Sequence, residues 1–273
     1  MVTHLLWVTD PHLNFLGRER IHFLGSTWAG RDPRAPLVVS GDVSEGPRLL
    51  GDLRELAAGF GRAIYFVLGN HDYYRSSWRA VHRELRVTSL PAELTFLDRR
   101  GPIRLDATTA LIGQSGWYDG GYGNARTTPV LLNDFRRIAE LGRCRSRGAL
   151  LATIQSRAEF DADEMHKKLE HARRDGYRRV VVATHVPPFP DAALHEGVPC
   201  GPDHQPWFVS AGMGAALERF CDARTDVQVL VLCGHTHSPG DYRHRPNLRV
   251  LAGTAEYGRA TLSAHLDLND AFG

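Results

Sequence analysis

Residues 64–72 read Ile-Tyr-Phe-Val-Leu-Gly-Asn-His-Asp. The apolar run Ile64 to Leu68 is rich in β-branched and aromatic residues and too short for a helix, so it reads as a buried strand. Gly69 ends the run, and an amide, an imidazole and a carboxylate follow in consecutive positions. A strand that finishes in such groups delivers them to the carboxyl edge of its sheet, where functional groups converge in open α/β folds.

The pattern recurs along the chain. Leu5 to Thr9 runs into Asp10-Pro11-His12, and Leu37 to Ser40 into Gly41-Asp42, where the glycine permits a tight turn and leaves space around the carboxylate. Val180 to Thr184 is followed by His185, and Val227 to Cys233 by Gly234-His235-Thr236-His237. Any one of these is read as an ordinary turn or a structural histidine. Five strand ends in ligand-type residues, in one chain, point to convergence on a common site.

Two more strand candidates, Ala110 to Gly113 and Arg249 to Ala252, carry no such groups. Helical patterns lie between the strands, over Pro47 to Ala58, Ser76 to Leu85, Ala162 to Arg174 and Gly212 to Asp222. Continuous apolar strands alternating with helices predict an α/β fold with helices on at least one face of the sheet. A single domain over residues 1–273 is expected, with irregular insertions at about 117–156 and 187–206, where specificity usually resides.

Composition excludes several classes. Hydrophobic residues at 42% and charged residues at 23% are those of a globular chain, and no apolar run is long enough to span a bilayer. The start of the chain lacks the form of a signal peptide, so a cytoplasmic location is expected. Cys144, Cys200, Cys221 and Cys233 form no Cys-x-x-Cys pair and are expected as free thiols. A net charge of +2 does not identify a nucleic-acid binder, although arginines cluster at 136–147 and 173–179. Those clusters read either as solvated helix faces or as a basic track for a nucleic-acid substrate.

The ordered set Asp10-x-His12, Gly41-Asp42, Gly69-Asn70-His71-Asp72, His185 and Gly234-His235-x-His237 resembles the calcineurin-like metallophosphoesterase family. The resemblance implies a two-sheet β sandwich flanked by helices (α/β/β/α). It implies two divalent or trivalent metal ions, one held by Asp10, His12, Asp42 and His237, the other by Asp42, Asn70, His185 and His235. Nitrogen and oxygen donors without thiolate suit Mn, Fe or Zn. Two such ions clamp a phosphate ester and activate a water between them as hydroxide. His71 is then the general acid for the leaving oxygen.

The segment Gly41-Asp42-Val43-Ser44-Glu45-Gly46 departs from the protein serine/threonine phosphatases. Glu45 stands where their aspartate orients the catalytic histidine, and no arginine follows it. Asp72 is expected either to cap its turn or to act electrostatically. Substrate contacts are sought at Trp117, Tyr118, Tyr122 and Arg126, and at His195, His204 and Trp207, with the alternative that the tryptophans only pack the insertions. The expected activity is that of a phosphodiesterase or broad phosphoesterase on nucleotides or small phosphate esters. The alternatives are a nuclease, a phosphomonoesterase and, from another class, a metal-free binding scaffold.

Overall fold

A computed structural model describes residues 2–273. In chain order the first half contains β1 (His4–Val8), α1 (Arg18–Ala29), β2 (Leu37–Ser40), α2 (Gly46–Phe60), β3 (Ile64–Val67), α3 (Trp78–Val87), β4 (Leu94–Phe96), β5 (Ile103–Arg104) and β6 (Thr109–Gly113). The second half contains α4 (Asp134–Arg137), α5 (Ala139–Gly142), α6 (Arg147–Arg174), β7 (Arg179–Ala183), the hairpin β8 (Leu194–His195) and β9 (Val198–Pro199), α7 (Gln205–Phe208) and α8 (Ala211–Ala223). Strands β10 (Gln228–Cys233), β11 (Gly240–Arg245), β12 (Leu248–Ala252) and β13 (Ala264–Asp267) complete it.

The strands form two mixed sheets, ordered β13-β1-β2-β3-β4 and β11-β12-β10-β7-β6-β5. Strands β1 to β4 are mutually parallel, as are β6, β7, β10 and β12. Antiparallel strands close both edges of the second sheet and one edge of the first.

Side chains alternate across a strand, and that period divides the core into layers. Leu5, Trp7, Val38, Val181, Ala183, Leu230 and Leu232 face the opposite sheet. Their neighbours Leu6, Val8, Val39 and Phe66 pack with Leu53 and Leu56 of α2. On the far side Val180, Val182, Val229 and Val231 pack with Met165 of α6 and Leu217 of α8. The result is helix, sheet, sheet, helix, with strands apolar on both faces, which is why they read as continuous runs.

All seven predicted strands form. Helix α1 is additional, and it lies against α2 at glycines: a Cβ on Gly25 would stand 2.7 Å from the Leu56 carbonyl oxygen, and one on Gly59 would strike His22 O. Helix α6 corrects the expectation of irregular chain through residue 156. It begins at Arg147, with Ser146 Oγ accepting the Ala149 N–H at 3.2 Å as its N-cap. The four cysteines are unpaired thiols, and no described helix is long and apolar enough to cross a membrane.

Candidate active site

The carboxyl ends of β1, β2, β3, β7 and β10 meet at one edge of the sandwich, where the two sheets are joined by polar contacts. The His235 N–H donates across the sheets to both Asp10 oxygens at 3.1 and 3.2 Å, while within the first sheet the His71 N–H donates to Asp42 Oδ1 at 2.8 Å. Glycines allow this proximity. A Cβ on Gly69 would strike Asp42 Oδ1 and lie 2.6 Å from His185 Nε2, and one on Gly234 would strike Thr9 Oγ1 and Asp10 Oδ2.

Backbone conformation marks the same residues. Seven described non-glycine residues have positive φ, and five of them are Asp10, His12, Asp42, His235 and His237, with φ between 42° and 70°. Left-handed backbone is disfavoured for L-residues and persists where the surroundings enforce it, which is most often at functional sites.

Two donor sets converge. Asp10, His12, Asp42 and His237 each offer one ligand atom, all within 4.8 Å of one another. His12 Nε2 lies 3.2 Å from His237 Nε2, which is 3.4 Å from Asp10 Oδ1. In the second set Asn70 Oδ1 lies 3.1 Å from His185 Nε2 and 2.9 Å from His235 Nδ1, and Asp42 Oδ1 is 3.4 Å from His185 Nε2. Donors held at about 2.0–2.2 Å by one ion stand roughly 2.9–3.5 Å apart. Asp42 turns Oδ1 toward His185 and Oδ2 toward His12, the latter at 3.9 Å.

The hydrogen-bond directions show what the second set fits. His185 Nδ1 lies 3.0 Å from the Ser40 carbonyl and His235 Nε2 lies 2.8 Å from the Trp207 carbonyl. A carbonyl only accepts, so those nitrogens carry the protons. Burial holds both imidazoles below their usual pKa, His235 down to about 4, so the rings are neutral near pH 7. His185 Nε2 and His235 Nδ1 are therefore bare lone pairs. They face the lone pairs of Asn70 Oδ1, whose orientation is fixed because Asn70 Nδ2 donates to Asp134 Oδ1 at 3.0 Å. Three acceptors with no hydrogen between them fit a cation.

The carboxylates point the same way. Burial, then the charge of Asp10, pushes the Asp42 pKa well above the carboxylate range. Burial also acts to raise Asp10, but His185, His237 and His12 outweigh it and hold Asp10 low. Two carboxylates this close and this buried ionise together only beside a cation.

His71 is partly open, with its side chain 17% exposed against 0% for His185. Its ring stacks on Tyr74 at 4.2 Å and its Nε2 lies 3.9 Å from Asp42 Oδ2. Burial holds its pKa down to about 3. An anionic ester against the ring would favour its protonated form.

Several expected placements are corrected, while Asp72, Trp117 and Trp207 follow the structural one of their two readings. Glu45 makes no hydrogen bond or ion pair with His71: its oxygens are taken by Arg75 at 2.5 Å and Arg137 at 3.4 Å, guanidiniums from the loop after β3 and from α4. Asp72 is fully buried and accepts the Ser44 and Gly69 N–H groups, each at 2.8 Å, so it braces the two ligand loops as a turn residue. Trp117 packs against Trp78 and Tyr73 inside the fold, away from the cleft. Tyr118 is buried behind the site and donates to Asp134 Oδ2 at 2.7 Å. Arg126 lines a separate cleft, while Tyr122 packs on the small cluster of Ala193, Cys200 and Val209. Trp207 is buried and acts through its carbonyl on His235.

His195 does line the site cleft, which measures about 440 Å³, and its ring lies 6.4 Å from that of His204. The cleft wall also contains residues that sequence reasoning missed, among them Tyr74, Asp134, Glu196, Phe208 and Tyr257. Tyr257 covers His12 at 4.5 Å between ring centroids. No strand-end pattern announces these residues, because they come from loops and short helices.

A family model described as calcineurin-like phosphoesterase matches residues 3–239, and the chain belongs to that family. It is accordingly a phosphoester hydrolase whose reaction depends on metal. Among solved structures it is similar to a phosphopantetheinyl hydrolase from Mycobacterium tuberculosis, at 16% identity and a TM-score of 0.62, over 93% of this chain and 89% of that one. It is also similar to a dimetal phosphatase from Danio rerio, at 13% identity and a TM-score of 0.59, over 93% and 87% of the two chains. These likenesses show the fold. No curated protein sequence matches.

Proposed function

We infer that the chain hydrolyses small phosphate diesters, nucleotide-containing diesters among them, with two metal ions held by the two donor sets and shared at Asp42. The observation that carries this reading is the composition of the cleft. None of its lining residues is lysine or arginine, while Leu132, Phe208, Tyr74 and Tyr257 give it apolar and aromatic walls. A dianionic monoester calls for cationic clamping beyond the metals, whereas a monoanionic diester needs less. The aromatic walls suit a flat organic group on the ester.

When bound, Mn, Fe or Zn ions would polarise the phosphate and lower the pKa of an attacking water. The protein's share is orientation and a proton. Ser40, Trp207 and Asp134 aim the donor atoms of His185, His235 and Asn70. His71 is placed to give a hydrogen bond or proton to the departing oxygen. A nuclease reading would require a basic track at the cleft, which its lining does not supply.

The test is kcat/KM for a bis-aryl phosphate against the matching aryl monoester at saturating Mn²⁺. A diester preference is expected. A monoester preference of about tenfold or more, roughly 1.4 kcal/mol, overturns this reading in favour of a phosphomonoesterase.

A further inference from the structure

At the amino end of β1, the opposite end from Asp10, lies a second group of ligand-type side chains. Six residues at about 3.3 Å each separate His4 from Asp10, so the two places are roughly 20 Å apart. His4 on β1 and His265 on β13 are diagonal neighbours across an antiparallel pair, with His4 opposite Asp267 and Leu6 opposite His265. Their rings lie 5.0 Å apart between centroids.

Asp32, from the loop after α1, reaches both. Its Oδ2 is 3.1 Å from His265 Nε2 and 3.9 Å from His4 Nδ1. The three ligand atoms lie within 4.8 Å of one another. Two donors about 2.0–2.1 Å from a tetrahedral ion stand roughly 3.3 Å apart, and the observed separations bracket that value.

The carboxylate is already aimed. Its other oxygen accepts the Arg34 N–H at 2.9 Å, and the loop is anchored by Arg62, which donates to the Asp32 carbonyl at 2.8 Å. The side chains remain open to solvent, at 35% exposure for His4 and 44% for His265. An ion can therefore enter and keep a water. Thr3 Oγ1, 3.0 Å from His4 Nδ1, is the partner that an ion would displace.

We propose that His4, Asp32 and His265 form a peripheral site for a borderline divalent cation, Zn²⁺ above all, independent of the catalytic metals. Two imidazoles and one carboxylate are a donor set for such ions and a poor one for Mg²⁺ or Ca²⁺. Its effect is mechanical. The ion clips β13, the last strand, to β1 and to the α1–β2 loop, tying together residues far apart in the chain.

The experiment uses full-length protein with its active-site metals loaded. Wild type, His265→Gln and His4→Gln are incubated with zinc sulfate, desalted, and assayed for metal content and melting temperature. Wild type should retain one more equivalent of zinc than either variant and should melt several degrees higher with zinc than without. Neither variant should show that rise, and both should turn over a bis-aryl phosphate as wild type does, which also confirms that they fold. Equal zinc content and equal melting shifts in all three proteins would overturn the site and leave a metal-free His–Asp cluster.

Discussion

Asn70 is aimed by Asp134: its amide nitrogen donates to the buried carboxylate at 3.0 Å, which turns Oδ1 toward His185 and His235. Tyr74 and Tyr118 donate to the same carboxylate at 2.6 and 2.7 Å. Asp134→Asn replaces one accepting oxygen with an NH₂ group, so the three donors no longer all find an acceptor. Metal affinity should fall by about 10- to 100-fold, the usual loss when a partner of a ligand is changed. Activity should recover at high metal concentration. Unchanged affinity in a metal titration would show that Asp134 does not position Asn70.

His71→Ala should keep its metals and lose turnover by about 10²- to 10⁴-fold. The loss should be smaller for esters whose leaving group needs no proton. A slope of log kcat against leaving-group pKa that is the same in variant and wild type would remove His71 from that role.

Two glycines should respond oppositely to alanine. At Gly69 a Cβ strikes Asp42 Oδ1 and crowds His185, so Gly69→Ala should lose bound metal and activity together. At Gly51, inside α2, a Cβ meets nothing within 4 Å. Gly51→Ala should leave kinetics unchanged and stabilise the fold by about 0.5–1 kcal/mol in denaturant unfolding. Retained metal in Gly69→Ala would contradict the packing described for the ligand loops.

His82 gives a pH dependence away from the metals. Burial, then Arg157, Arg99 and Arg86, lowers its pKa to about 3, and its Nε2 lies 3.0 Å from Tyr73 Oη. In the unfolded chain the ring takes a proton near pH 6.5, whereas in the fold it resists until about 3. The unfolded state thus binds more protons between these values, and stability must fall as pH drops through the window, with a slope approaching 1.4 kcal/mol per unit. His82→Gln should unfold with a shallower dependence between pH 6 and 4. Parallel curves for variant and wild type would show that His82 does not titrate this way.

Five strand ends were legible because one local rule governs them: an apolar run and then a ligand, with a glycine between the two at Asp42, Asn70 and His235. The seven predicted strands followed from their apolar runs, and the convergence of Asp10, His12, Asp42, Asn70, His185, His235 and His237 from the five runs that end in ligand-type residues. The first half of helix α6 was hidden because its inward side includes the charged pair Arg157 and Asp161. Asp161 accepts from Gln114 and from Arg157, each at 2.8 Å. Charges satisfied in this way break the apolar period that announces a helix. Helix α1 was invisible for the opposite reason, since its contact with α2 depends on Gly25 and Gly59, which carry no hydrophobic signal. The placement of Glu45 was misjudged because the arginines that hold it come from distant segments.

The left-handed backbone at five of the site residues limits which side chains can stand there at all. Among non-glycine residues, asparagine, aspartate and histidine tolerate that conformation best, and glycine would adopt it freely but bring no donor. The turns thereby restrict the site's chemical alphabet to short oxygen and nitrogen donors before any ion arrives. Drift toward a thiolate site is opposed by the main chain as well as by selection on the reaction, so ions that prefer sulfur are disfavoured by a property of the turns themselves.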